Sequence, residues 1–174
     1  MIEAEKNIIL IGMPGVGKST VGVLLAKRLN FHYLDTDIYI QTQEGKSLQE
    51  IIRIRGSSGF CDIEQQYILS VNVTSHVIAP GGSVVYRHPA MKHLKASGIV
   101  IYLDIELSRL MKRLDDIDAR GVVIAPEQKI KDLYAERHPL YKKYADATVV
   151  TDGLTPDQVV GEIEGILKEM KLKC

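Results

Sequence analysis

The residues best able to do chemistry stand together near the start of the chain, as Gly12-Met13-Pro14-Gly15-Val16-Gly17-Lys18-Ser19. Their spacing satisfies G-x-x-x-x-G-K-[ST]. Glycines at these positions let the backbone curl so that successive N–H groups converge on an anion. A helix opening at Lys18 adds its partial positive charge to the same point. The lysine brings a full charge to phosphate oxygens, and the serine hydroxyl is a hard ligand suited to Mg²⁺. The stretch therefore reads as a nucleoside-triphosphate site. Gly12, Gly15, Val16, Gly17, Lys18, Ser19 and Thr20 are the candidate nucleotide-binding residues. Lys18 doubles as a catalytic residue and Ser19 as a metal ligand, with ATP and Mg²⁺ the expected cofactors.

A second group is Asp35-Thr36-Asp37. It follows a short apolar stretch and sits where a strand's carboxyl end would open into a ligand crevice. Two carboxylates at i and i+2 there suit a metal and an acceptor hydroxyl. The same residues also suit a helix start, with Asp37 or Thr36 as the N-cap. The residues alone leave both roles open.

These groups need a scaffold, and the hydrophobic pattern supplies one. Ile8-Ile9-Leu10-Ile11 is a continuous β-branched run closed by Gly12, as in a strand buried on both faces. Further short strands are predicted over 31–34, 77–79, 99–103 and 147–150. Between them, apolar residues recur at helical spacing: Val21, Leu24, Leu25 and Leu29 in the first helix, and Val160, Ile163, Leu167 and Met170 in the last. The last helix is expected to start at Pro156, with Thr155 as its N-cap. Helices are also expected over 38–43, 48–54, 60–71, 89–95, 105–114 and 126–144, with 56–59 as a break. Alternating strands and helices predict an α/β fold, a five-stranded parallel sheet with helices on both faces. The chain reads as one domain, 1–174, with mobile insertions at about 36–72 and 115–125.

Composition sets outer bounds. The chain has 174 residues, 45% hydrophobic and 25% charged, which suits one globular domain. Twenty-two basic residues balance 22 acidic ones. That argues against a nucleic-acid binder, which carries a basic excess. No apolar run approaches the roughly 20 residues of a bilayer span. The N-terminus lacks the basic start and apolar stretch of a signal peptide. Cys61 and Cys174 have no metal-like or redox spacing. The expectation is a cytoplasmic protein that acts on a small molecule, without nucleic acid or membrane.

Taken in order, the motifs resemble the shikimate kinase family nearly end to end. They are GMPGVGKST, the Asp-Thr-Asp at 35–37, the glycine pair Gly81-Gly82, Arg120, and Glu136-Arg137-His138-Pro139-Leu140-Tyr141. The resemblance implies a P-loop, nucleoside-monophosphate-kinase-like fold with a lid at about 115–125. It implies ATP-dependent phosphorylation of a hydroxyl on a small cyclic acid. By position, Asp37 would hold the acceptor hydroxyl and Asp35 would sit near the metal. Gly81 and Gly82 would approach the acceptor, and Arg137 would bind its carboxylate. Arg120 would come from the lid as a catalytic and nucleotide-binding charge, and Arg113 and Pro156 would flank the adenine.

The chain departs from the family pattern at identifiable places. The family carries an arginine for the acceptor carboxylate where this chain has Cys61, between Phe60 and Glu64. Pro80 and Ser83 flank the glycine pair where the family has more glycine, and Gly121 replaces a proline. The departures leave three readings: a shikimate kinase in which another cation such as Arg53, Arg55 or Arg87 compensates, a related kinase with another acceptor, or a silent nucleotide-binding protein.

Overall fold

The computed structural model describes residues 6–118 and 130–172. Five parallel strands form one sheet in the order β2-β3-β1-β4-β5: β1 (Asn7–Ile11), β2 (His32–Asp35), β3 (His76–Ala79), β4 (Gly98–Asp104) and β5 (Ala147–Val150). The central strand β1 is buried at every position, which explains its continuous apolar run. Each of Ile8, Ile9, Leu10 and Ile11 contributes about 1.5–3 kcal/mol through burial. Asn7, the strand's polar residue, is satisfied within the sheet. Its side chain donates to the Val73 carbonyl at 2.7 Å and accepts from the His76 N–H at 3.0 Å.

Seven helices connect and cover the strands: α1 (Lys18–Leu29), α2 (Thr36–Glu44), α3 (Leu48–Ser70), α4 (His88–Ser97), α5 (Leu107–Asp118), α6 (Ile130–Tyr144) and α7 (Pro156–Leu172). Helix α1 packs on α7, and α3 packs on α4. The chain leaves β1 toward β2 but leaves β3 toward β4. Right-handed crossovers then send the two connections to opposite faces. The crevice between the carboxyl ends of β1 and β3 is the topological switch point, where ligands bind in such sheets.

Several sequence expectations are corrected. The segment 36–72 holds two regular helices with their own small core of Ile40, Ile51 and Phe60, fewer than the three expected there. Ser47 and Glu50 form a reciprocal capping box at the start of α3, which fixes its entry. The expected break at 56–59 shrinks to one residue. Gly56 alone leaves helical geometry, at φ 70°, and α3 continues through it. Helix α5 runs on to Asp118, so the acidic residues 115–118 are helical rather than loop. The cap of α2 is Asp35, not Thr36 or Asp37. Between β3 and α4 lies an unexpected 3₁₀ turn, Val84–Tyr86.

Candidate active site

The loop after β1 is shaped by its glycines. Gly12 has φ 151°, and a Cβ there would lie 2.7 Å from the Leu103 carbonyl oxygen of β4. Gly15, at φ 83°, faces Leu114 in the same way, at 2.9 Å from a side-chain methyl. Gly17, the residue before α1, has φ 108° and open space around it. Val16 is buried; its N–H donates to Met13 O at 3.2 Å, and its carbonyl accepts from Arg113 at 3.0 Å. Arg113 therefore braces the back of the loop from α5.

Lys18 folds over the loop that precedes it, donating from Nζ to Gly12 O at 2.8 Å and Met13 O at 3.2 Å. Burial pulls its ammonium down to about 8, against the opposing pull of Asp37. Ser19 Oγ donates to Asp35 Oδ2 at 3.0 Å, and Tyr33 Oη reaches the same oxygen at 3.3 Å. Tyr33 can lie there because Gly22 of α1 faces its ring; a Cβ at Gly22 would stand 2.6 Å from it. Asp35 Oδ1 accepts the N–H groups of Asp37 and Ile38, at 3.0 and 3.2 Å. One carboxylate thus caps α2 and pairs with the serine hydroxyl. The two roles left open in the sequence fall to the same residue.

A cavity of about 580 Å³ opens beside the loop, lined among others by Pro14, Lys18, Asp37, Phe60, Cys61, Gly81, Gly82, Arg87 and Arg137. Asp37 Oδ1 is buried without a hydrogen-bond partner among the described residues. Burial pushes this carboxyl up to about 6, although Lys18 opposes the shift. Glu64 of α3 faces the same point. It is buried, it accepts from Ser83 Oγ at 2.7 Å, and burial lifts its carboxyl to about 8. Gly81 makes this convergence possible: a Cβ there would sit 2.7 Å from both Asp37 Oδ1 and Glu64 Oε1. A Cβ at Gly82 would stand 2.9 Å from Arg137 Nη1 and 3.2 Å from Tyr141 Oη. The glycine pair admits protein side chains against the backbone, beyond any role toward an acceptor.

Arg137 enters from α6 and is held by Tyr86. Its Nε donates to Tyr86 Oη at 3.1 Å, and its guanidinium carbon lies 5.1 Å from the ring centroid. Tyr86 Oη in turn donates to Glu136 at 2.8 Å, and Tyr141 Oη donates to the Gly82 carbonyl at 2.7 Å.

The structure therefore brings together Lys18, Ser19, Asp35, Asp37, Gly81, Gly82 and Arg137. Thr20 is exposed in the first turn of α1, and Pro156 is exposed at the first position of α7. Arg120 lies outside the described residues. Glu64, Tyr33, Tyr86 and Tyr141 were not singled out as site residues from the sequence. Glu64 and Tyr141 lay within motifs quoted for the family resemblance without a role attached, and for Tyr33 and Tyr86 the one legible signal is polarity in segments that otherwise bury apolar residues.

Among the described residues no three His, Cys, Asp or Glu side chains gather to hold a metal. The Ser19–Asp35 oxygen pair still fits Mg²⁺, which keeps most of its shell as water and phosphate oxygens.

A five-stranded parallel sheet with a G-x-x-x-x-G-K-S loop at its switch point, beside an acid-lined cavity, defines a P-loop kinase of the nucleoside-monophosphate-kinase type. Comparison with known proteins narrows the class. A family model described as shikimate kinase matches residues 14–168. The shikimate kinase of Thermodesulfovibrio yellowstonii is 41% identical over 94% of each chain. That of Persephonella marina is 36% identical over 94% of this chain and 99% of its own. The Acinetobacter baumannii shikimate kinase, solved in complex with shikimate, superposes with a TM-score of 0.86 at 32% identity, covering 98% of this chain and 97% of that one. A gluconokinase from Sinorhizobium meliloti shares the fold at a TM-score of 0.59 and 14% identity. The chain belongs to the shikimate kinase family, and is a phosphotransferase acting on a hydroxyl group.

Proposed function

We propose that the chain transfers the γ-phosphoryl group of ATP to a hydroxyl of shikimate, giving shikimate 3-phosphate. One observation carries this reading. A single cavity holds a loop lysine for phosphate, a desolvated carboxylate for a hydroxyl and an arginine for a carboxylate. Family membership supports the same donor and acceptor.

In this reading the loop N–H groups and Lys18 hold the β- and γ-phosphates. Ser19, backed by Asp35, would hold Mg²⁺, which neutralises phosphate charge when bound. Arg113 braces the loop on the nucleotide side. Arg137 binds the acceptor carboxylate as a planar fork. Asp37 accepts a hydrogen bond from the reacting hydroxyl and takes its proton as the new O–P bond forms and the bond to the ADP oxygen breaks. Its position near 6 leaves it ionised at neutral pH yet basic enough to accept that proton. Arg120 supplies a further charge to the transferred group, and Pro156 borders the adenine.

Burial raises the Glu64 carboxyl to about 8 and so favours its neutral form near neutral pH. That form adds no second negative charge beside Asp37 where the phosphoryl group must pass. The family resemblance implies a monomer, and this reading keeps it. A cytoplasmic location is part of the same reading, since Cys61 and Cys174 have no metal-like or redox spacing.

The test is ADP release with shikimate as the varied substrate. The expected result is saturable, shikimate-dependent turnover yielding a phosphomonoester by phosphorus NMR. Nucleotide binding without shikimate-dependent turnover would reject the assignment.

A further inference from the structure

The acceptor cavity holds a second guanidinium whose hydrogen-bonding capacity the described residues leave largely unused. Arg87 follows the 3₁₀ turn and lines the cavity with Arg137. Its three hydrogen bonds among the described residues leave from Nη2: to Asp62 Oδ1 at 2.7 Å, Ser58 O at 3.3 Å and Ser58 Oγ at 3.4 Å. Its Nε is buried and donates to nothing among the described residues. Leaving such a donor unpaired is costly, and the arrangement calls for a partner that the described residues do not provide.

The clamp explains the orientation. Asp62 is 62% exposed, so its attraction for Arg87 is screened and worth little as stability. Its effect is to hold the guanidinium across the mouth of the cavity, against α3. Cys61, the residue before it, lies within the field of both Arg87 and Arg137. Its small neutral side chain lines the same cavity as the two arginines and takes up little of it. Arg53 and Arg55, the other cations near this wall, are exposed on α3 and do not line the cavity.

We propose that Arg87 is an acceptor-binding residue that, with Arg137, cradles the acceptor's carboxylate. Asp62 aims it, and Cys61 leaves the room for it. This rests on the shikimate reading above. Two charged donors converging on one small anion favour a planar carboxylate over a neutral group. The same arrangement makes Cys61 a site where an added cation competes for occupied space rather than filling a gap.

The test is calorimetric titration with shikimate and with its uncharged methyl ester, run beside turnover assays. The proteins are wild type, Arg87→Leu, Cys61→Arg and the double variant. Arg87→Leu is expected to raise the Kd for shikimate about 10- to 100-fold and that for the ester less than about threefold. Cys61→Arg alone is expected to bring no tightening, whereas added to Arg87→Leu it recovers much of the lost affinity. That recovery also excludes a misfolded variant as the cause. Equal losses on both ligands, no loss on shikimate, or tightening by Cys61→Arg alone would overturn the role of Arg87. If wild type binds shikimate without phosphorylating it, the kinase reading fails while the Arg87 comparison still stands on its Kd values. If wild type binds neither ligand, both fail.

Discussion

The phosphate loop and the acceptor cavity adjoin each other, yet they are built in opposite ways. The loop is contiguous, and its shape comes from backbone geometry. Gly12, Gly15 and Gly17 all have positive φ, and the group they present to a ligand is mainly the main-chain N–H. The cavity is assembled from α2, α3, the turn after β3 and α6, and what it presents is side-chain charge. A backbone site tolerates little change in its sequence pattern. A side-chain site can move a charge from one element to another and keep the same field. In this chain position 61, on α3, carries a neutral thiol, while Arg87 reaches the same cavity from the segment between the 3₁₀ turn and α4.

That contrast is best challenged where each region bears most of the chemistry. Asp37→Asn should lower kcat about 10²–10⁴-fold while leaving the KM for ATP nearly unchanged, as measured by steady-state kinetics. A comparable rise in the KM for ATP would mean that the two regions are not separable. Lys18→Met should cost about 10²–10³-fold in kcat and also weaken ATP, because its charge meets phosphate in both ground and transition states.

The pH dependence separates the regions in the opposite directions of their shifts. Asp37 is raised to about 6, so kcat/KM for the acceptor should fall as pH drops through 6. Lys18 is lowered to about 8, so the free loop loses a positive charge as pH rises through 8. The KM for ATP should therefore climb above that pH, by no more than tenfold per unit. For stability the sign is the reverse of a salt-bridged acid. A carboxyl raised from its ordinary value near 4 destabilises the folded state above about 6, and that cost disappears below its unfolded value. Asp37→Asn should accordingly make the protein slightly more stable at pH 8, and a thermal melt at pH 8 and pH 4 would show the gain only at the higher pH.

A further effect, on stability rather than on the chemistry, is expected at the glycine pair. Gly81→Ala places a methyl 2.7 Å from two carboxylate oxygens and should cost about 1–3 kcal/mol in denaturant unfolding. A neutral result would mean that Asp37 and Glu64 move apart freely, contrary to a preorganised cavity.

The two regions also differ in how far the sequence reveals them. The five strands and the loop were legible because their signals are local. A β-branched run, a glycine and a lysine-serine pair lie within a dozen residues, and the side chains of Ile8–Ile11 are buried as their pattern requires. Asp37 and Arg137 were legible through family resemblance rather than spacing. Glu64 and Tyr86 were not, because 27 positions of sequence separate Asp37 from Glu64 and only the packing of α3 brings them together. The helical continuity across Gly56 was hidden for a related reason. One glycine in 56–59 actually uses its freedom, and the Ile40–Ile51–Phe60 core holds the rest of the helix in line. Asp35 shows a different limit, since a cap and a ligand-side carboxylate look alike until one residue is seen to be both.

The measurement that tests the central claim most directly is a crystal structure with shikimate bound. The account predicts shikimate in the cavity beside Gly81 and Gly82, its carboxylate on Arg137 and a ring hydroxyl within hydrogen-bond reach of Asp37. Shikimate bound elsewhere, or with its carboxylate turned away from Arg137 and no hydroxyl near Asp37, would contradict it.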